Sequence, residues 1–94
     1  MRDRNFYINS IKMDLYRVVT AVGDLRKEPA KESAIEFLKH AIEEFDKFEK
    51  NEKDKEIREN LIVLNSQMDK LNDPLHRYRW AEHILTNRCR LYED

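Results

Sequence analysis

Six aliphatic residues near the start of the chain, Ile8, Ile11, Leu15, Val18, Val22 and Leu25, recur at steps of 3, 4, 3, 4 and 3. Steps of three and four stay on one side of an α-helix but scatter over both faces of a strand. The same spacing returns at Ile57, Leu61, Leu64, Met68 and Leu71, which step by 4, 3, 4 and 3. Between them Ala34, Ile35, Leu38, Ala41, Ile42, Phe45 and Phe48 mark a broader apolar helical face. One Gly and two Pro in 94 residues leave little turn chemistry for a sheet. An all-α chain is therefore predicted, folding as a single domain over residues 1–94.

Breaks in the pattern set the expected helix ends. The first helix runs over about 4–26, with Gly23 interrupting late and Pro29 forbidding continuation. The second runs over about 29–50, with Pro29 in its first turn or with Ser33 and Glu36 as a capping box. The segment Asn51 to Asp54 is wholly polar, and the apolar phase changes across it. A tight turn is predicted there, with Asp54 as the next N-cap. The third helix covers about 55–71. Asp73 then caps and Pro74 opens a fourth helix over 74–92. Four such helices on short loops form an up-down antiparallel bundle. The alternative is a helical hairpin in which one helix over 30–72 completes its core by dimerisation.

Hydrophobic residues make up 40% of the chain and charged residues 39%, the balance of helices with one apolar and one solvated face. The net charge is −1, so no global field draws the protein to nucleic acid or to a membrane. The longest apolar run, Leu61 to Leu64, is far too short to span a bilayer. The opening MRDRNF has no signal-peptide pattern, and Cys89 is a lone cysteine, so a cytoplasmic location is expected.

The helix faces point to partners. The fourth helix carries two apolar stripes, Tyr78, Ala81, Leu85, Cys89 and Tyr92 on one side and Trp80, Ile84 and Leu91 about 100° away. The first stripe is expected to face the core, with Cys89 a small buried thiol. The first helix adds Phe6, Met13 and Tyr16 outside its seam. Because the first and fourth helices adjoin in an up-down bundle, Phe6, Met13, Tyr16, Trp80, Ile84 and Leu91 are predicted to form one exposed patch. The expected use of that patch is a homodimer interface in a non-enzymatic interaction module.

The fourth helix also bears all of its basic charge on Arg. His76, Arg79, His83 and Arg90 share a polar stripe, with Arg77 and Arg88 between the apolar stripes. Guanidinium groups grip phosphate in a planar fork and stack on bases. Arg77, Arg79, His83, Arg88 and Arg90 are thus the candidate anion or nucleic-acid contacts, the rival function to a protein-interaction module. Arg77 and His83, with five residues between them, also resemble the R-x4-6-H signature of HEPN-domain ribonucleases, which are all-α bundles. That resemblance implies an Arg77–His83 catalytic pair, the imidazole moving protons and the guanidinium stabilising the phosphorane. On a straight helix the two side chains diverge by about 120°, so they do not converge within one chain.

No cofactor or metal is expected. Glu36, His40 and Glu43 or Glu44 share a face of the second helix, but the Glu-x-x-His pairs of di-iron bundles are absent from the sequence. Ser10, Ser33 and Ser66 have no convergent His, and no Gly-rich phosphate loop is present.

Overall fold

In a computed structural model, which describes residues 3–91, the chain forms four α-helices and two short 3₁₀ turns, with no strand among the described residues. The helices are α1 (Arg4–Val22), α2 (Lys31–Glu44), α3 (Glu52–Asn65) and α4 (Pro74–Cys89). Each is bounded by local chemistry. The Asp3 side chain accepts from the Phe6 N–H at the start of α1. Asn51 accepts from the Asp54 N–H and Asp54 accepts from the Asn51 N–H, a reciprocal capping box that starts α3. Asp73 accepts from the His76 N–H, and Pro74 takes the first helical turn of α4.

Several expected boundaries move. Gly23 ends α1 rather than merely interrupting it, so Leu25 leaves the seam and is 48% exposed. The second helix starts at Lys31 after Ala30, which offers no side-chain cap, so neither the Pro29 nor the Ser33 start is used. It ends at Glu44 in a 3₁₀ turn over Phe45–Lys47, after which Phe48 is extended. The extended backbone of Phe48 and Asn51 excludes one continuous helix over 30–72. Asn51 is the cap of α3, and Asp54 is the third residue inside it. The third helix gives way at Ser66 to a 3₁₀ turn over Met68–Asn72. The fourth ends at Cys89, and Tyr92 lies outside the described residues.

Around the bundle, α1 packs on α2 and α4, and α3 packs on α2 and α4. Specific contacts fix which ends meet. Tyr7 near the start of α1 stacks on Phe48 beyond the end of α2, with centroids 5.9 Å apart. Arg4 forks onto Asp54 in the first turn of α3, with contacts of 2.9 and 3.3 Å. Arg77 in the first turn of α4 reaches the Val22 carbonyl at the end of α1. Arg90 beyond α4 pairs with Glu56 near the start of α3 at 3.1 Å. The body is elongated, 41 × 20 × 18 Å.

The core follows the predicted seams on α1, α2 and α3: Ile8, Ile11, Leu15, Val18, Val22, Leu38, Ile57 and Leu61 are all fully buried. On α4 the expectation is reversed. Trp80, Ile84 and Leu91 are buried with Ala81, whereas Tyr78 is 54% and Leu85 41% exposed, and Cys89 faces outward. Trp80, Ile84 and Leu91 therefore belong to the core of this chain and not to an exposed patch. The physical reason is area. An indole with two branched aliphatic side chains removes more apolar surface from water than Leu with a thiol and a phenol that keeps its hydroxyl wet. The indole N–H donates to the Leu64 carbonyl at 2.9 Å, satisfying the one polar atom that burying Trp80 brings inside. The buried face also contains Arg77 and Asn87, polar residues that disguise it in the sequence.

Candidate functional site

Burying Trp80 turns the neighbouring polar stripe of α4 toward α3. Between these helices lies a groove of about 620 Å³. His76, Arg79, His83, Thr86 and Arg90 come from α4 and its end, Asn60, Val63, Leu64 and Gln67 come from α3 and its end, and Lys70 comes from the 3₁₀ turn. Trp80 and Asn87 form part of the floor. No Asp or Glu lines the groove among the described residues, although the chain has 19 of them.

The wall is tethered at both ends and open in the middle. At one end His76 Nδ1 lies 3.0 Å from the Asp73 carboxylate. At the other, the Arg90 guanidinium beside Glu56 holds that carboxyl below its usual range. Between them the side chains of Lys70, Arg79 and His83 make no ion pair or hydrogen bond among the described residues. Glu82, also on α4, raises the pKa of the neighbouring Tyr78 phenol. The floor is rigid. Asn87, 5% exposed, donates to the His83 carbonyl at 2.8 Å and accepts from Asn60 at 3.0 Å. That leaves the Asn60 carbonyl oxygen, the Gln67 amide and the Thr86 hydroxyl with unused hydrogen-bonding capacity in the groove.

The five expected anion contacts thus separate. Arg79, His83 and Arg90 share the groove. Arg77 does not: it is 6% exposed, and its guanidinium donates to the carbonyls of Val22 at 2.5 Å, Asp24 at 2.7 Å and Lys27 at 2.8 Å. These are carbonyls at and beyond the end of α1, where a helix runs out of its own donors. Arg88 is also drawn away. It donates to the Lys12 carbonyl at 3.0 Å, and its guanidinium lies 6.0 Å from the Tyr16 ring centroid. With Arg77 committed to backbone and His83 on the groove, the Arg77–His83 pair of the ribonuclease signature is not assembled. Lys70, Asn60 and Gln67 were not legible as site residues, because they enter from other elements.

Of the expected interface residues, Phe6, Met13 and Tyr16 are 42%, 52% and 59% exposed. The Arg88 contacts place Tyr16 beside α4, whose exposed apolar residues include Leu85 but not Trp80, Ile84 or Leu91.

A second polar cluster joins α1 to α2. His40 Nδ1 lies 2.5 Å from Asp14 and Nε2 lies 3.1 Å from Glu44. Both carboxylates are nearly buried, at 3% and 5% exposure. The hydrogen bond to Asp14, and then the charges of Asp14 and Glu44, raise the His40 pKa against the opposing effects of desolvation and Lys47. The two carboxylates sit on opposite ring nitrogens, so the three groups do not converge on a point, and no metal-holding cluster occurs among the described residues.

No helix among the described residues is long and apolar enough to cross a membrane. Set against protein-family models, curated proteins and solved structures, the chain matches none of them. The fold and the groove define a small all-α protein with a cationic cleft, and its function is read from its own residues.

Proposed function

We propose that the protein is a non-enzymatic binding module that takes an anionic ligand in the α3/α4 groove. The observation that carries this reading is the groove's charge pattern: Lys70, Arg79, His83 and Arg90 line it and no carboxylate does, in a chain whose net charge is −1. Segregated charge raises the local concentration of a complementary ligand even when the whole chain is near neutral. The test is retention on immobilised heparin at low salt. Wild-type protein is retained, and Arg79→Glu and Lys70→Glu elute early. Flow-through of the wild type overturns the reading.

A second reading is self-association through α1 and α4. Met13, Tyr16 and Leu85 supply exposed apolar surface across two packed helices. Such a patch suits a two-fold homodimer. Light scattering then gives twice the chain mass of 11.5 kDa, and Leu85→Glu returns it to one. A wild-type protein that runs at the mass of one chain removes this reading without touching the first.

A further inference from the structure

Resting on the groove as an anion site, the geometry points to single-stranded nucleic acid as the ligand, its phosphates on Lys70 and Arg79 and its bases over the groove floor. Three features of the groove select this chemistry from other anions.

The first is length. His76 and Arg90 lie 14 residues apart along and just beyond α4, about 21 Å at 1.5 Å per residue. A strand stacked at about 3.4 Å per nucleotide places roughly six nucleotides over that distance. A single phosphorylated metabolite uses only part of it.

The second is the kind of side chain. His76 and His83 present planar rings and Arg79 a planar guanidinium, surfaces on which bases stack. Asn60, Gln67 and Thr86 offer amide and hydroxyl groups with unused hydrogen bonds, the groups that meet base edges. An acidic amphipathic helix needs instead a row of exposed apolar positions. Here Val63 is 51% exposed, but Leu64 is at 6% and Trp80 at 1%. Such a helix therefore finds charge but only one well-exposed aliphatic side chain, Val63, rather than a row of them.

The third is concavity. The free cations stand around a cleft whose floor is Trp80 and Asn87. A flexible strand can enter a cleft between two helices. A duplex is a convex rod that meets only the rims, which are the bundle helices α3 and α4 themselves.

The test is fluorescence anisotropy on the full chain with four labelled probes: an eight-nucleotide mixed-sequence RNA, the same sequence as DNA, its duplex, and an octaglutamate peptide. Both single strands bind, and the duplex and peptide bind at least tenfold more weakly. With two to three phosphates neutralised, raising salt from about 50 to 200 mM weakens single-strand binding about 7- to 20-fold. Arg79→Glu and Lys70→Glu each lower the affinity tenfold or more with an unchanged melting temperature. Lys39→Glu, the same charge change at an exposed site on α2, has no more than a threefold effect. Octaglutamate binding as tightly as RNA, with the same dependence on Arg79, overturns the nucleic-acid assignment and leaves the anion groove standing. Duplex binding that equals or exceeds that of the single strands overturns the assignment as well. Failure of all four probes removes both readings, and so does wild-type affinity in Arg79→Glu.

Discussion

Replacing Arg77 with Met removes the guanidinium that closes the end of α1. The wild-type group makes three charge-assisted bonds to the carbonyls of Val22, Asp24 and Lys27, and the side chain is buried. The three acceptors do not suffer equally. Lys27 is exposed and Asp24 partly so, and their carbonyls recover water, whereas Val22 is fully buried. The loss is then dominated by one buried acceptor and its charged donor, a cost of about 3 kcal/mol. Met fills most of the stem's volume, so the cavity penalty stays small. A chain of this length has a total stability of roughly 5–14 kcal/mol, at about 0.05–0.15 kcal/mol per residue. The variant should melt about 12–24 °C lower, at about 4–8 °C per kcal/mol. Arg77→Lys keeps the charge, but its single ammonium cannot fork to three carbonyls, and it recovers less than half of the difference. Urea unfolding followed by Trp80 fluorescence reads the change directly, because Trp80 is the sole tryptophan and is buried. An Arg77→Met midpoint equivalent to less than about 1 kcal/mol, with an unchanged slope, would refute the capping role.

Asp54→Ala removes both the inner half of the α3 capping box and the buried partner of Arg4. About 2–4 kcal/mol should be lost in urea unfolding, more than a cap alone provides, and a loss below 1 kcal/mol would leave the Arg4 pair without a structural role. Trp80→Phe keeps most of the ring but leaves the Leu64 carbonyl without the indole donor. It should cost about 1–3 kcal/mol while the chain remains folded by circular dichroism; no measurable cost would show that the bond contributes nothing. His40 has a folded-state pKa raised above 6.5 by Asp14 and Glu44. Its contribution is therefore fully present below about pH 6.5 and is lost as pH rises through the higher folded-state value. Wild-type stability should fall across that window relative to His40→Gln, and parallel curves for the two proteins from pH 5.5 to 9 would show that the imidazolium does not tie α1 to α2.

The functional residues differ in how far their local sequence announces them. The stripe of His76, Arg79, His83 and Arg90 is visible as helical spacing, and the structure keeps it together as one wall of the groove. Arg77 and Arg88 carry the same side chain on the same helix, yet both serve the backbone of α1. Nothing in their local sequence separates them from Arg79. The difference lies in which carbonyls another helix brings within reach. The Asp14–His40 contact joins residues 26 apart, so its Asp14 half was hidden, while the i, i+4 pair of His40 and Glu44 was open to view.

Local pattern determined the helices of this protein, because the spacing of apolar residues and the positions of Asp73, Pro74 and Gly23 act through backbone geometry within a few residues. It also determined the core faces of α1, α2 and α3, where the stepped aliphatic stripe outweighs any other apolar residues on the helix. On α4 two stripes competed, and tertiary structure decided between them. The packing of α4 against both α1 and α3 buried the face with Trp80, Ile84 and Leu91, because that face removes the most apolar area and its polar members, Arg77 and Asn87, find partners on neighbouring segments and in the helix itself. That choice rotates Arg79 and His83 over the cleft beside α3 and turns Tyr78, Leu85 and Cys89 outward. The groove exists only once that rotation is set, since five of its twelve lining residues come from segments that no local spacing connects to α4.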